Sequence, residues 1–205
     1  MSICNRNCCE NKINSSYIKW LIEVLGPVIL GSKPAEIGAT LQRKANIISS
    51  KDMNKESKLN EIKSFFSNCT KLSYKIINIP DGGIRLVFIN KDALSITLNN
   101  KKCLNFLKFI GYPSNYNLDE YLNILIDKLN SDNFPHEIGI FLGYPLKDVV
   151  GFMGYGKYKF CKTRYWKVYG DESVSDEVYN KFISDRAKIK VLLENNPLSE
   201  LRKVI

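Results

Sequence analysis

The chain has 205 residues, of which 44% are hydrophobic and 25% are charged. This length and composition are typical of a globular protein that buries a core without disulfides, and they exclude a disordered chain, a collagen-like fibre and a disulfide-stabilised miniprotein. The net charge is +9, from 30 Lys and Arg residues against 21 Asp and Glu residues. The single histidine, His136, excludes a metal site built from several histidines of one subunit.

The N-terminal residues do not resemble a secretory signal. Residues 1–20 are polar, and the apolar stretch 21–31 is interrupted by Glu23. That stretch is also much shorter than the ~20 residues that span a bilayer. We therefore expect a cytoplasmic protein without a membrane partner. Three isolated cysteines fit that reducing compartment: Cys69, Cys103 and Cys161.

Residues 1–15 are expected to form a flexible, cysteine-containing tail ahead of a single domain at 16–205. Cys4, Cys8 and Cys9 lie in this polar tail. Their spacing matches none of the usual zinc patterns, so no metal site is predicted. The thiols are either incidental or part of a tail that binds a soft metal or responds to redox state.

The positive charge is unevenly distributed. Between residues 40 and 110 there are thirteen basic and five acidic residues, and the segment 157–167 holds five basic residues, four aromatics and no acid. Basic residues between aromatic rings can bind nucleic acid, with cations on phosphates and rings on bases. The candidate cations for that role are Lys157, Lys159, Lys162 and Arg164. The alternation over 157–160 is equally typical of a half-buried strand with a solvated lysine face.

In chain order, helical spacing of apolar residues and capping signals predict a series of helices. They are expected at 17–25, from Lys33 onwards, and at 59–66, 92–98, 102–110, 117–129, 146–153 and 175–194. Residues 45–58 are predicted to form a loop. Asn117 and Ser175 are the predicted N-caps of the last two long helices, and Gly111 is a predicted C-cap.

Four segments have the composition of strands: 72–79, 84–90, 138–142 and 164–169. The first two are joined by a Pro-Asp-Gly-Gly turn, which favours a hairpin. Strands and helices do not alternate strictly. The sequence therefore predicts an α+β fold, with a small, partly antiparallel sheet of about four strands covered by about seven helices.

The densest cluster of candidate site residues lies in the last third of the chain. His136 could donate or accept a proton, Lys167 could hold an anion, and nearby polar and aromatic side chains could line a pocket. The predicted ligand-binding residues are Glu137, Tyr144, Tyr165, Trp166, Lys167 and Asp171. Capping of an element by His136 and packing of the aromatics in the core are the alternatives. The ligand-site hypothesis requires His136, Lys167 and Asp171 to face one concavity.

Three strings resemble an uncharacterised family of anaerobic bacteria, known only as a domain of unknown function. They are GPVILGSKPA at 26–35, HEIGIFLGYPLKDVVGF at 136–152 and YWKVYGD at 165–171. The resemblance covers residues 16–190 and implies no reaction or cofactor. The family more often has Cys-Ala-Pro where this chain has Leu25, Gly26 and Pro27, so no thiol role is implied there.

Three functional hypotheses follow. The first is a protein that binds a small molecule, or a modest enzyme, with a site formed by His136 and the end of the strand at 165–171. The second is a basic module that binds nucleic acid or an acidic protein. The third is a non-catalytic interaction subunit. The sequence identifies neither a reaction nor a cofactor.

Overall fold

A computed structural model describes residues 16–37, 47–48, 55–78, 84–131 and 133–198. These residues form nine helices and six strands, which confirms the α+β class. The helices are α1 (Ser16–Val24), α2 (Gly26–Ile29), α3 (Lys55–Phe66), α4 (Lys91–Leu98), α5 (Lys101–Phe109), α6 (Leu118–Leu129), α7 (Ile138–Phe141), α8 (Leu146–Phe152) and α9 (Ser173–Asn195). The strands are β1 (Ala35–Ile37), β2 (Ile47–Ile48), β3 (Leu72–Asn78), β4 (Ile84–Asn90), β5 (Phe160–Thr163) and β6 (Lys167–Tyr169).

Strand β4 is the centre of the main sheet. Strand β3 pairs with one edge of β4 along its whole length, with Leu72 opposite Asn90 and Asn78 opposite Ile84. Strands β1 and β2 pair with the other edge, and all pairings are antiparallel. Strands β5 and β6 form a separate antiparallel pair. The antiparallel sheet predicted from the sequence is thus present.

Both faces of β4 are buried, because alternate side chains enter two different hydrophobic clusters. Val87 and Ile89 belong to the first hydrophobic cluster, which includes residues of α4 to α8. Leu86 and Phe88 belong to the second hydrophobic cluster, which includes residues of α1, α2 and α3. A central strand buried on both sides has a continuous apolar sequence, which is what β4 shows.

Most predicted helices are present, and their caps explain where they begin or end. The Asn117 side chain accepts a hydrogen bond from the Glu120 N–H at 3.0 Å at the start of α6. Gly111 follows α5 with φ +104°, a backbone conformation that glycine adopts without strain. The predicted hairpin strands at 72–79 and 84–90 are β3 and β4. Their connecting turn and the cysteine tail lie outside the described residues.

Two element predictions are wrong in type. The helix predicted from Lys33 is instead strand β1, because residues 35–37 pair with β4 and the Asn90 N–H donates to the Pro34 carbonyl at 2.8 Å. The strand predicted at 138–142 is the short helix α7, in which the Leu142 N–H donates to the Ile138 carbonyl at 2.9 Å. A short apolar run is compatible with either structure when it is buried on all sides.

Other predictions are wrong in extent. The loop predicted at 45–58 contains β2 and the first turn of α3. The predicted strand at 164–169 begins only at Lys167. The half-buried strand considered at 157–160 is absent: residues 157–159 precede β5, Phe160 begins it, and all four are exposed. Helix α9 begins at Ser173, and the Ser175 hydroxyl donates to a buried carboxylate rather than capping the helix.

Candidate functional site

Tyr144 lies at a buried centre where three distant segments meet. It follows Gly143, whose φ of +81° turns the chain after α7. A Cβ atom on Gly143 would lie 2.5 Å from Cδ of Pro34, so only glycine permits this approach of the N-terminal segment. The Tyr144 ring stacks on Trp166 with ring centroids 5.1 Å apart. The segment around Pro34, the segment around Tyr144 and the segment around Trp166 therefore share one centre.

A buried ion pair lies beside this centre. Lys33 and Glu36 are each 1% exposed, and their Nζ and Oε2 atoms are 2.5 Å apart. The Lys33 Nζ atom also lies 5.3 Å from the ring centroid of Tyr144 and 5.4 Å from that of Phe182. Burial raises the pKa of the Glu36 carboxyl, against the lowering effect of Lys33. The ammonium group is held by one carboxylate and two ring faces.

Two buried polar atoms at the centre have no hydrogen-bond partner among the described residues. They are the Tyr144 hydroxyl and the Trp166 Nε1–H. Burial, with a smaller contribution from Glu36, raises the pKa of Tyr144 well above its ordinary value. The Tyr144 hydroxyl therefore stays protonated at neutral pH and can donate or accept a hydrogen bond. Unpaired buried donors are costly, so these two atoms call for an explanation.

Both atoms belong to residues that line one cavity between α9 and the segment before β6. The aromatic lining consists of Tyr144, Tyr165, Trp166, Tyr179 and Phe182, and the polar lining consists of Asp148, Arg164 and Ser175. The centre of a water-sized sphere can occupy about 10 Å³ inside this cavity. That volume is about the minimum needed to hold one water molecule. A larger ligand requires the segment carrying Trp166 to move.

Lys147, Asp148 and Ser175 form a polar cluster at this cavity. The Lys147 ammonium donates to Asp148 Oδ1 at 2.7 Å, to the Tyr169 carbonyl at 2.8 Å and to Ser175 Oγ at 2.7 Å. Ser175 Oγ donates to Asp148 Oδ2 at 2.6 Å. The Lys147 side chain is thus engaged with three acceptors. The cluster joins α8, β6 and α9.

His136 and Lys167 lie together, apart from the cavity. Both are exposed, and each contacts the Phe152 ring: the His136 ring packs edge-on with centroids 5.0 Å apart, and Lys167 Nζ lies 5.3 Å from the centroid. Phe152 in turn packs against Trp166 at 5.2 Å. His136 is therefore one aromatic ring away from the cavity.

Asp171 and Glu137 are placed elsewhere. The Asp171 carboxylate accepts hydrogen bonds from the backbone N–H and hydroxyl of Ser173, both at 3.0 Å, at the start of α9. Glu137 is buried and accepts from Lys128 Nζ at 2.6 Å and from the Tyr112 hydroxyl at 3.3 Å. These two residues do not line the cavity, and neither do His136 and Lys167. Tyr144, Tyr165 and Trp166 are the predicted site residues that the fold brings together.

The four cations considered for nucleic-acid binding fall into two pairs. Lys162 lies 2.5 Å from Glu172 and 2.6 Å from Asp176, and Arg164 lies 3.1 Å from Asp176. The acidic partners, Asp176 above all, raise the pKa of Lys162. Lys157 and Lys159 are exposed. The charge of Lys162 and Arg164 is thus largely neutralised by the start of α9 and the residue before it.

Sequence reasoning missed Lys33, Glu36, Lys147, Asp148 and Phe182. Their spacing along the chain follows no chemical motif, because they reach the centre from separate parts of the fold. Lys33 does stand in the string at 26–35 that resembles the family, which is the signal that could have drawn attention to it. In the described part of the chain no group of three or more His, Cys, Asp or Glu residues could hold a metal ion. No helix in those ranges is long and apolar enough to cross a bilayer.

These features define an α+β protein with a buried aromatic centre and a small adjoining cavity. A family model described as "Protein of unknown function (DUF3793)" matches residues 21–202, and the chain belongs to that family. This confirms the resemblance to an uncharacterised family. No curated protein and no solved structure matches the chain.

Proposed function

We propose that the protein binds a small planar molecule in the cavity between α9 and the segment carrying Trp166. The observation that carries this proposal is the pair of buried polar atoms, Tyr144 Oη and Trp166 Nε1, which have no partner among the described residues although both side chains line the cavity. An acceptor atom of a ligand within hydrogen-bond distance of either donor would satisfy it. The cavity as it stands holds no more than one water, which is the alternative partner, so ligand binding requires lining side chains to move.

The chemistry of the lining supports a planar ligand. Aromatic rings surround the cavity, and a flat molecule gains stacking contacts from them. Arg164 also lines the cavity, but its Nε atom is paired with Asp176, so its charge gives no preference for an anionic ligand.

The proposal is one of binding. In the Lys147, Asp148 and Ser175 cluster, the Lys147 amine and both carboxylate oxygens of Asp148 already make hydrogen bonds within the protein, and we assign the cluster no reaction. A proton-transfer role for His136 stays a prediction. Since the Phe152 and Trp166 rings separate His136 from the cavity, such a role requires these rings to move.

A thermal-shift screen of small aromatic and carboxylate-bearing compounds tests the proposal. The fluorescence of Trp166 can then be followed alone in a Trp20→Phe background, since the chain has two tryptophans. A compound at 100 times its Kd should stabilise the fold by about 2.7 kcal/mol and change the Trp166 emission.

Matched variants locate the binding site. Tyr144→Phe removes one hydroxyl and should weaken binding about fivefold, the usual value of one hydrogen bond. His136→Ala should leave a cavity ligand's affinity unchanged. The proposal fails if binding is lost in His136→Ala and retained in Tyr144→Phe, or if no compound both raises Tm and alters Trp166 emission.

A further inference from the structure

A second surface, none of whose residues lines the cavity, carries exposed aromatic rings. Phe109 at the end of α5 is 70% exposed, and Tyr155 after α8 is 54% exposed. Their ring centroids lie 5.5 Å apart with planes at 83°, and Phe106 packs against Tyr155 at 5.6 Å. We call Phe106, Phe109 and Tyr155, together with Lys102, Lys157 and Lys159, the aromatic–lysine surface.

The lysines of this surface follow from helix geometry and chain proximity. Lys102 lies four residues before Phe106 and seven before Phe109, so it shares their face of α5. Lys157 and Lys159 follow Tyr155 by two and four residues and are exposed. No ion pair of these three lysines is present within the described ranges.

Both segments that form the surface lack acidic residues. Residues 93–118, which include α5, contain no Asp or Glu, and neither do residues 149–170. The acids that neutralise Lys162 and Arg164 belong to α9 and its N-terminal flank and lie outside these two segments. The contact of Phe109 with Tyr155 therefore joins two acid-free stretches of the chain, and the three lysines of the surface make no ion pair with the described residues.

We infer that the aromatic–lysine surface binds single-stranded nucleic acid without strong sequence preference. Exposed ring faces beside lysines match unstacked bases beside phosphates, which is how sequence-tolerant single-strand binding works. Bases within a duplex are already stacked and cannot use the rings. The surface contains lysines and no arginine, and lysine contacts phosphate as a compact point charge, whereas arginine has the planar fork suited to bidentate recognition.

Charge also distinguishes this partner from a second copy of the chain. A symmetric dimer through this surface would bring the three lysines of one copy toward the three of the other, and none of them has an ion-pair partner within the described ranges. Like charges at an interface cost binding energy, so the surface favours a polyanion over self-association.

Fluorescence anisotropy of a labelled oligothymidylate of about 12 nucleotides tests the inference. The affinity for the oligonucleotide should fall as the salt concentration rises. The double variant Lys157→Glu with Lys159→Glu should make the plot of log binding constant against log salt concentration less steep, by about 0.7 for each phosphate that it no longer neutralises. Phe109→Ala and Tyr155→Ala should each weaken binding about tenfold. Since both rings are largely exposed, these variants should keep the wild-type Tm.

Lys181→Glu with Lys190→Glu is the matched control, because it makes the same charge change at exposed positions of α9. This control should retain most of the affinity. The inference is overturned if the control loses as much affinity as the 157/159 pair, or if a duplex of equal length binds as tightly. It is also overturned if anionic lipid vesicles or polyglutamate bind through Phe109 and the oligonucleotide does not. A dimer that Phe109→Ala abolishes would likewise refute it.

Discussion

At the scale of single residues, the Lys33–Glu36 pair is the least expected feature of the core. Removing two charges from water costs several kcal/mol for each ion, which their attraction must offset. The pair is local, three residues apart on the turn into β1, while the rings of Tyr144 and Phe182 come from distant parts of the chain. Each buried charge is therefore tolerated only while its partner is present.

We expect Lys33→Met and Glu36→Gln each to lower the free energy of unfolding by about 3–5 kcal/mol, because each leaves one buried charge without its partner. The double variant should lose far less than the sum, since no unpaired charge remains. Urea unfolding at neutral pH measures all three values.

The exposed pair of Lys91 and Asp119, 3.0 Å apart with side chains 54% and 72% exposed, offers the control. Lys91→Met should cost no more than about 1 kcal/mol. Additive losses at positions 33 and 36 would contradict the argument that the two charges are coupled.

At the scale of elements, the N-terminus of α9 organises the region beside the cavity. Asp171 caps its first turn through Ser173, and Asp176 pairs with Lys162 and Arg164 of the preceding segment. Ser175 reaches Asp148 in α8. The start of one helix thus holds α8, β5 and the segment before β6 together.

Asp171 makes one contribution to the pH dependence of stability. The backbone N–H and then the hydroxyl of Ser173 hold its pKa below the usual value. The charged carboxylate therefore contributes stability above the unfolded-state pKa of about 3.9, and that contribution is lost as pH falls through the lower folded-state pKa.

Asp171→Asn should accordingly lower Tm at neutral pH. The difference in Tm between the variant and the wild type should become smaller as pH falls from about 4 toward 2. Thermal unfolding followed by circular dichroism at several pH values measures the difference. A difference that stays constant down to pH ~2 would show that the charge of Asp171 makes no contribution.

At the scale of the whole molecule, β4 and α9 belong to both hydrophobic clusters. Phe182 of α9 lies in the first cluster and Ile189 in the second, as do alternate residues of β4. Neither cluster can lose its packing without disturbing these two shared elements. We therefore propose that residues 16–205 fold as one domain.

The two tryptophans report on the clusters separately, because Trp166 packs against the first and Trp20 against the second. Trp20→Phe leaves only Trp166 to fluoresce, and Trp166→Phe leaves only Trp20. For each variant, the urea midpoint measured by fluorescence should equal the midpoint of the same variant measured by circular dichroism. A variant in which the two probes give different midpoints would indicate two domains that unfold separately.

Local signals were sufficient for elements whose causes are local. Asn117 caps α6 because its own side chain reaches the N–H three residues on, and the stripe of leucines behind it needs one buried side. Strands β3 and β4 are likewise evident from their β-branched and aromatic residues. The same reasoning failed for the residues after Lys33, where pairing with β4 decided the backbone conformation. It also failed at 138–142, where burial on all sides removes the periodicity that distinguishes a helix from a strand.

The candidate site likewise contains residues that local sequence signals identify and residues that only the tertiary structure identifies. Tyr144, Tyr165 and Trp166 could be selected as aromatics near turn residues, and the fold does bring them to one cavity. The placement of His136 one ring away depends on Phe152, which no spacing rule connects to it. Lys33, Asp148 and Phe182 could not be assigned to the centre, since they reach it from separate elements.

By itself, the sequence determined the α+β class, most helices, the central hairpin strands and the family, because these depend on local periodicity, capping and recognisable strings. It also determined the net charge of +9. Only the tertiary structure decided which charges are neutralised, as at Lys162 and Arg164, and which remain beside exposed rings, as at Lys157 and Lys159. The physical reason is that ion pairs and cavities depend on distances between residues far apart in the chain, which are set only when the helices pack on the sheet.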